Sequence, residues 1–297
     1  MSLSADWLLL SLASALLLGV YDLFKKHAVN GNAVLPVLFF SCLAAALVWL
    51  GLLLAAPLLP TALQTQPLSA TDHLLLFAKS SLVGTSWIFA YFGLKHLPVS
   101  VAGPIRATSP LWTLAGAVLL FSERPSLQQW LGILLAIGAF YAFSLAGRRE
   151  GLHFHKNRWV FFTIAATLLG ASSALYDRWL LGFHGFTPPT VQAWFHFYLV
   201  VFFLPFLYGW YRQWWPTGTF TFRWSIPAIG VGLLLTDFLY FTALHDPDAM
   251  VSLVSALRRA SVLVTFVGGF LFFGDTNFRA KLLPTLGILA GVLLIVA

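Results

Sequence analysis

Apolar blocks about twenty residues long recur along the whole chain, parted by short polar clusters and by proline or glycine. A stretch such as VLPVLFFSCLAAALVWLGLLL (34–54) offers no polar face to water. A helix of about 20 residues crosses the hydrocarbon core of a bilayer. Within lipid every backbone N–H and C=O must find its partner inside the protein, which leaves only helices and closed barrels. The period-two alternation of barrel strands is absent, so the chain reads as an all-α integral membrane protein. Composition agrees: 59% of residues are hydrophobic and 9% charged, against about 25% charged in soluble domains.

Breaking the sequence at its polar clusters predicts ten transmembrane helices, near 7–28, 33–58, 74–95, 99–121, 127–146, 159–182, 190–211, 225–244, 249–273 and 280–297. The first block lacks the basic lead of a signal peptide and is expected to stay as a span. A single cysteine, Cys42, excludes an intramolecular disulfide framework and a cysteine-based metal cluster. The 17 Lys and Arg outnumber the 10 Asp and Glu. No basic run presents them to nucleic acid, and such an excess commonly decorates cytoplasmic loops.

The chain contains an internal repeat. LGVYD (18–22) resembles SALYD (173–177), and 89–123 resembles 238–275. Tyr91 aligns with Tyr240, His96 with His245 and Pro98 with Pro247. After a three-residue insertion Arg106 aligns with Arg258, Ser109 with Ser261 and Glu123 with Asp275. WLGILLAIG (130–138) matches TLGILAGVL (285–293). The expected organisation is a five-helix repeat over 1–148, a basic connecting loop over 149–158 and a second five-helix repeat over 159–297. Five is odd, so the halves would be inverted, an architecture of transporters with a site at the repeat interface. Loop charge places the basic loops after odd-numbered spans in the cytoplasm and both termini outside.

Ionisable residues inside spans carry the functional expectation. Arg258 and Arg259 stand side by side in VSLVSALRRASVLVTF (251–266), although an arginine at the bilayer centre costs about 2.5–3.5 kcal/mol on insertion scales. Lys79, Arg106, Arg178, Arg258 and Arg259 face only three acids, Asp22, Asp177 and Asp237. Two bases are left over, either to reach water or to meet an anion from outside, and the second outcome points to an anionic substrate; purely structural ion pairing is the competing reading. Arg106, Arg258, Arg259, Tyr91, Tyr240 and Lys79 are the candidate substrate-binding residues. Asp22, Asp177 and Asp237 would pair with the bases or carry a coupling proton. Adjacent helical residues point about 100° apart, so one of Arg258 and Arg259 would face the cavity while the other meets an acid. Trp130, Trp159, Trp214, Trp215 and Trp224 read as an interfacial belt, and His153 and His155 as loop residues.

PIRATSPLW (104–112), FSERPSLQQWLGILL (121–135) and the weaker FFGD (272–275) with LGILAG (286–291) resemble the EamA-like family of the drug/metabolite transporter superfamily. Tyr21-Asp22 stands where that family commonly has a Trp-Gly element. The resemblance implies two inverted five-helix repeats and transport of metabolites, with both termini in the cytoplasm, against the loop-charge reading. Plastid phosphate translocators are relatives that hold phosphate with basic residues on their fourth and ninth spans, an arrangement matched by Arg106, Arg258 and Arg259.

These readings together predict a secondary transporter that moves a small anionic metabolite, phosphorylated or carboxylated, by alternating access. Its partners would be the small-molecule substrate, the lipid bilayer, and a coupling proton or counter-substrate. It would be a monomer or homodimer, multi-pass in a bacterial inner membrane. The alternatives are an amino-acid or neutral-metabolite exporter of the same fold, a membrane enzyme acting on a lipid-linked phosphate, and a non-transporting scaffold. No P-loop, zinc, nucleophile-elbow or dinucleotide pattern stands in a fitting context. No enzyme activity, cofactor, metal or nucleic-acid partner is expected.

Overall fold

The computed structural model describes residues 6–96, 105–106, 108–145, 157–214, 218–273 and 278–296, and these are helical with no strand among them. Helix α1 spans Asp6–Val29, α2 Val34–Leu54 and α3 Ala70–His96. Helix α4 spans Ser109–Phe121 and α5 Leu127–Leu145. Helix α6 spans Arg158–Arg178 and ends in a π turn, Trp179–Phe183. Helices α7 and α8 span Pro188–Tyr211 and Ser225–His245. Helix α9 covers only Val251–Leu257; a 3-10 turn over Arg258–Ala260 separates it from α10, Ser261–Phe273. Helix α11 spans Phe278–Val296.

Six of these helices, α1, α2, α3, α6 with its π turn, α7 and α8, are long and apolar enough to cross a membrane; three shorter apolar stretches lie at 109–121, 127–142 and 282–295. Three expected spans differ in detail. The block at 249–273 is helical over Val251–Phe273 but tightens to a 3-10 turn at Arg258–Ala260. In the block at 99–121, 105–106 and Ser109–Phe121 are helical with a turn at Thr108, and 97–104 and 107 lie outside the described residues. The second expected span ends early, at Leu54, before two 3-10 turns. Leu, Phe and Val on the outer faces stay exposed, as with Leu119 at 80% and Phe272 at 75%. That outward greasiness suits lipid, since a soluble domain avoids large contiguous apolar surface.

Packing is set by close helix pairs: α1 against α8 and α10, α3 against α6 and α7, α2 against α7 and α8, α4 against α6 and α9, and α5 against α11. Small residues bring the backbones together. At α5–α11, a Cβ on Gly291 would stand 2.7 Å from the Ala136 backbone nitrogen and 2.8 Å from the Gly132 oxygen.

Polar contacts fasten the helix ends. At one end Asn32 bonds the backbone of Thr221, and the His96 ring stacks on Trp159 at 3.7 Å. At the other end Gln66 joins Thr187 and Thr190, and His184 meets Asp72 at 3.1 Å. There Glu123 accepts from the Val251 N–H at 2.7 Å and from the Ser252 hydroxyl, capping α9.

Candidate functional site

A cavity of about 290 Å³ lies among α1, α3, α4, α6, α7, α8 and the break before α10. All nine residues singled out from the sequence, Asp22, Lys79, Tyr91, Arg106, Asp177, Asp237, Tyr240, Arg258 and Arg259, line it. Tyr21 and Lys25 line it too.

The acids are shared out one to a base. Lys79 Nζ lies 2.6 Å from Asp177 Oδ1, with side chains 1% and 6% exposed. The Lys79 ammonium also sits over the rings of Phe195 at 4.2 Å and Phe241 at 4.9 Å. Arg258 Nη2 donates to Asp237 Oδ1 at 3.2 Å, and its guanidinium lies 4.1 Å from the centre of the Tyr240 ring. Asp22 meets Lys25 at 3.9 Å, one turn away on α1. Lys25 Nζ in turn lies 4.6 Å from the Tyr91 ring centre. Tyr91 and Tyr240 thus each offer a π face to a cation.

Arg178, one of the five intramembrane bases, is satisfied without an acid and does not line the cavity. Its guanidinium donates to the carbonyls of Leu244, Asp246 and Pro247 at 2.9, 2.7 and 2.8 Å. These are the last carbonyls of α8 and its turn, where a helix leaves acceptors unpaired and carries partial negative charge.

Arg106 and Arg259 remain. Neither has an ion pair or hydrogen bond to protein among the described residues, and the Arg259 Nε is buried without a partner. Arg106, Arg258 and Asp22 all lie within electrostatic reach of Arg259. The adjacent pair thus divides as expected in one respect: Arg258 meets an acid, Asp237. Both arginines nevertheless line the cavity.

The first half has a similar break beside Arg106. Thr108 closes a turn onto the Ile105 carbonyl with both its N–H, at 3.1 Å, and its hydroxyl, at 2.7 Å. Helices α4 and α10, each of 13 residues, then start at Ser109 and Ser261, and both serines line the cavity. The far wall is α6, through Thr163, Thr167 and Ser173. Thr163 and Thr167 donate their hydroxyls to carbonyls one turn back. Their oxygens are left to accept.

Lys25 lines the cavity although it is not among the candidates from the sequence, because a lysine near the end of a span reads as loop charge. The available signal was its spacing: three residues after Asp22, on the same helical face. His153, His155, Trp215, Asp275 and most of the connecting loop lie outside the described residues. Among the described residues no group of His, Cys, Asp and Glu could hold a metal ion.

Residues 5–145 match the model of the EamA-like transporter family. No curated protein matches the chain. A solved crystal structure superposes with a TM-score of 0.73 at 16% sequence identity, covering 98% of this chain and 97% of its own. At that identity the likeness concerns the fold.

Proposed function

From a chain whose residues 5–145 belong to the EamA-like transporter family, part of the drug/metabolite transporter superfamily, we propose a secondary transporter for a small organic anion. The observation that carries this reading is the pair Arg106 and Arg259, two guanidinium groups facing one cavity with no acid at ion-pair distance among the described residues. Burying an uncompensated charge costs several kcal/mol. An incoming anion removes that cost. Arginine holds carboxylate or phosphate oxygens with two parallel N–H groups, which fits a phosphorylated or carboxylated substrate. The N-termini of α4 and α10 at the cavity add positive potential.

The transporter would comprise ten spans in two inverted repeats, 1–148 and 159–297, working by alternating access in a bacterial inner membrane. Helix packing supports the repeat. Exchanging the halves turns α1–α8 into α6–α3, α2–α8 into α7–α3, and α1–α10 into α6–α4. It leaves α2–α7 and α5–α11 as they are, and all these pairs pack.

The test is uptake into proteoliposomes of the purified full chain, with phosphate monoesters, dicarboxylates and neutral amino acids as competitors. Phosphate monoesters or dicarboxylates are expected to compete. Arg106→Gln and Arg259→Gln should each weaken competition about 10- to 100-fold, the range for losing a hydrogen bond to a charged group. Competition by amino acids alone would make the chain an amino-acid exporter instead. Unchanged flux in both variants would make the arginines structural.

A further inference from the structure

Among the described residues Arg258 is the cavity arginine paired with an acid, and its hold on that acid is incomplete. A guanidinium and a carboxylate can form two parallel bonds. Here Arg258 makes one, at 3.2 Å, while its Nε is buried without a partner. Arg258 and Asp237 keep 17% and 10% of their side-chain surface exposed, against 1% and 6% for Lys79 and Asp177. The two buried pairs in one cavity therefore differ: Lys79–Asp177 is short and sealed, whereas Arg258–Asp237 is single-bonded and open to whatever enters.

We propose that Asp237 is the proton-coupling residue of this transporter, and that it couples by competing with the substrate anion for Arg258. This rests on the reading of the cavity as an anion site. An anion held by Arg106 and Arg259 draws the neighbouring Arg258 guanidinium from Asp237. The carboxylate left behind is a buried charge without a counter-charge, and it takes a proton from the aqueous side to which the cavity opens. An O–H bond forms on Asp237, the Arg258–Asp237 contact breaks, and the guanidinium passes to the anion. In reverse, loss of that proton restores the ion pair and expels the anion. Anion and proton are bound together and released together.

Other charged groups act on Asp237 without replacing it. Tyr21 reaches it from α1, Asp177 from α6, His196 from α7 and Tyr240 from its own helix. Asp177 stays with Lys79, which is held by two aromatic rings as well. His196 is fully buried, with Nδ1 on the Gln192 carbonyl, and does not line the cavity.

Sulfate is the probe, because its charge is constant between pH 5.5 and 8. Sulfate binding to the purified full chain is measured by calorimetry, and proton uptake by a pH-sensitive dye in weak buffer. About one proton should be taken up per sulfate, and affinity should rise up to about tenfold for each pH unit of acidification. Asp237→Asn should bind sulfate with no proton uptake and no pH dependence. Arg258→Gln should bind it more weakly, through Arg106 and Arg259, and also without uptake; it serves if the first variant does not fold. Sulfate binding without proton uptake in the natural chain overturns the coupling and leaves the anion site standing. Uptake that persists in either folded variant assigns the proton to another group. No sulfate binding at all overturns the anion site itself.

Discussion

At Lys79 the balance of charge and burial can be read from one side chain. The ammonium is 1% exposed and held by Asp177 at 2.6 Å between two phenylalanine rings. Removing one member of such a pair strands the other as a buried charge, at about 3–5 kcal/mol. Lys79→Met is therefore expected to lower the melting temperature sharply in detergent. The double change Lys79→Met with Asp177→Leu should recover most of the loss, because replacing a whole buried pair with apolar groups is often neutral or stabilising. If the double variant melts no higher than the single one, the pair is not the source of the instability. Seven of the nine candidate residues were legible in the sequence because charge inside an apolar block is costly and stands out, and Tyr91 and Tyr240 because they align with each other. Their pairing was not: nothing in the spacing tells that Asp177 takes Lys79 while Arg178, one residue on, turns to the end of α8.

At the scale of elements, long apolar helices were legible from block length alone, and the breaks were not. RRA at 258–260 winds as a 3-10 turn between α9 and α10 inside a block that reads as one apolar run. No proline or glycine marks it. The capping of α9 by Glu123, 128 residues away from Val251 in sequence, helps to hold that short helix in place. Helix contact has clearer marks, in glycine. Gly291→Ala places a Cβ 2.7 Å from the Ala136 backbone nitrogen, where rigid backbone must give way, whereas Gly51→Ala on α2 meets nothing within 4 Å. The first change is expected to lower the melting temperature by several degrees and the second to leave it unchanged. Equal melting of the two variants would mean that α5 and α11 can part without cost.

For the whole molecule, the polar ends sort the charges. His27, Arg223 and Arg158 lie at the end where Asn32 meets Thr221 and His96 meets Trp159. Asp72, Glu123, Asp246 and Asp248 lie at the opposite end, around Arg178 and His184. On the positive-inside rule the first end is cytoplasmic. Cys42 is buried, so a Cys42→Ser chain is a suitable background for single cysteines. A cysteine at Gln213 should resist an impermeant thiol reagent in intact cells, and one at Thr187 or Asp248 should react. The reverse labelling would give the orientation usual for the family.

The sequence by itself determined the class of the protein. Helices of this length and composition belong in lipid, and the charges inside the apolar blocks are written residue by residue. Tertiary structure alone decided how those charges are spent. Six cations, Lys25 among them, share three acids and the carbonyls at one helix end, which leaves Arg106 and Arg259 unmatched. The physical reason is that the energy of a buried charge depends on which groups stand within a few ångströms of it. Neighbours contributed by separate helices, such as α3 to α6 or α8 to the turn at Arg258, come within that distance only when the helices pack.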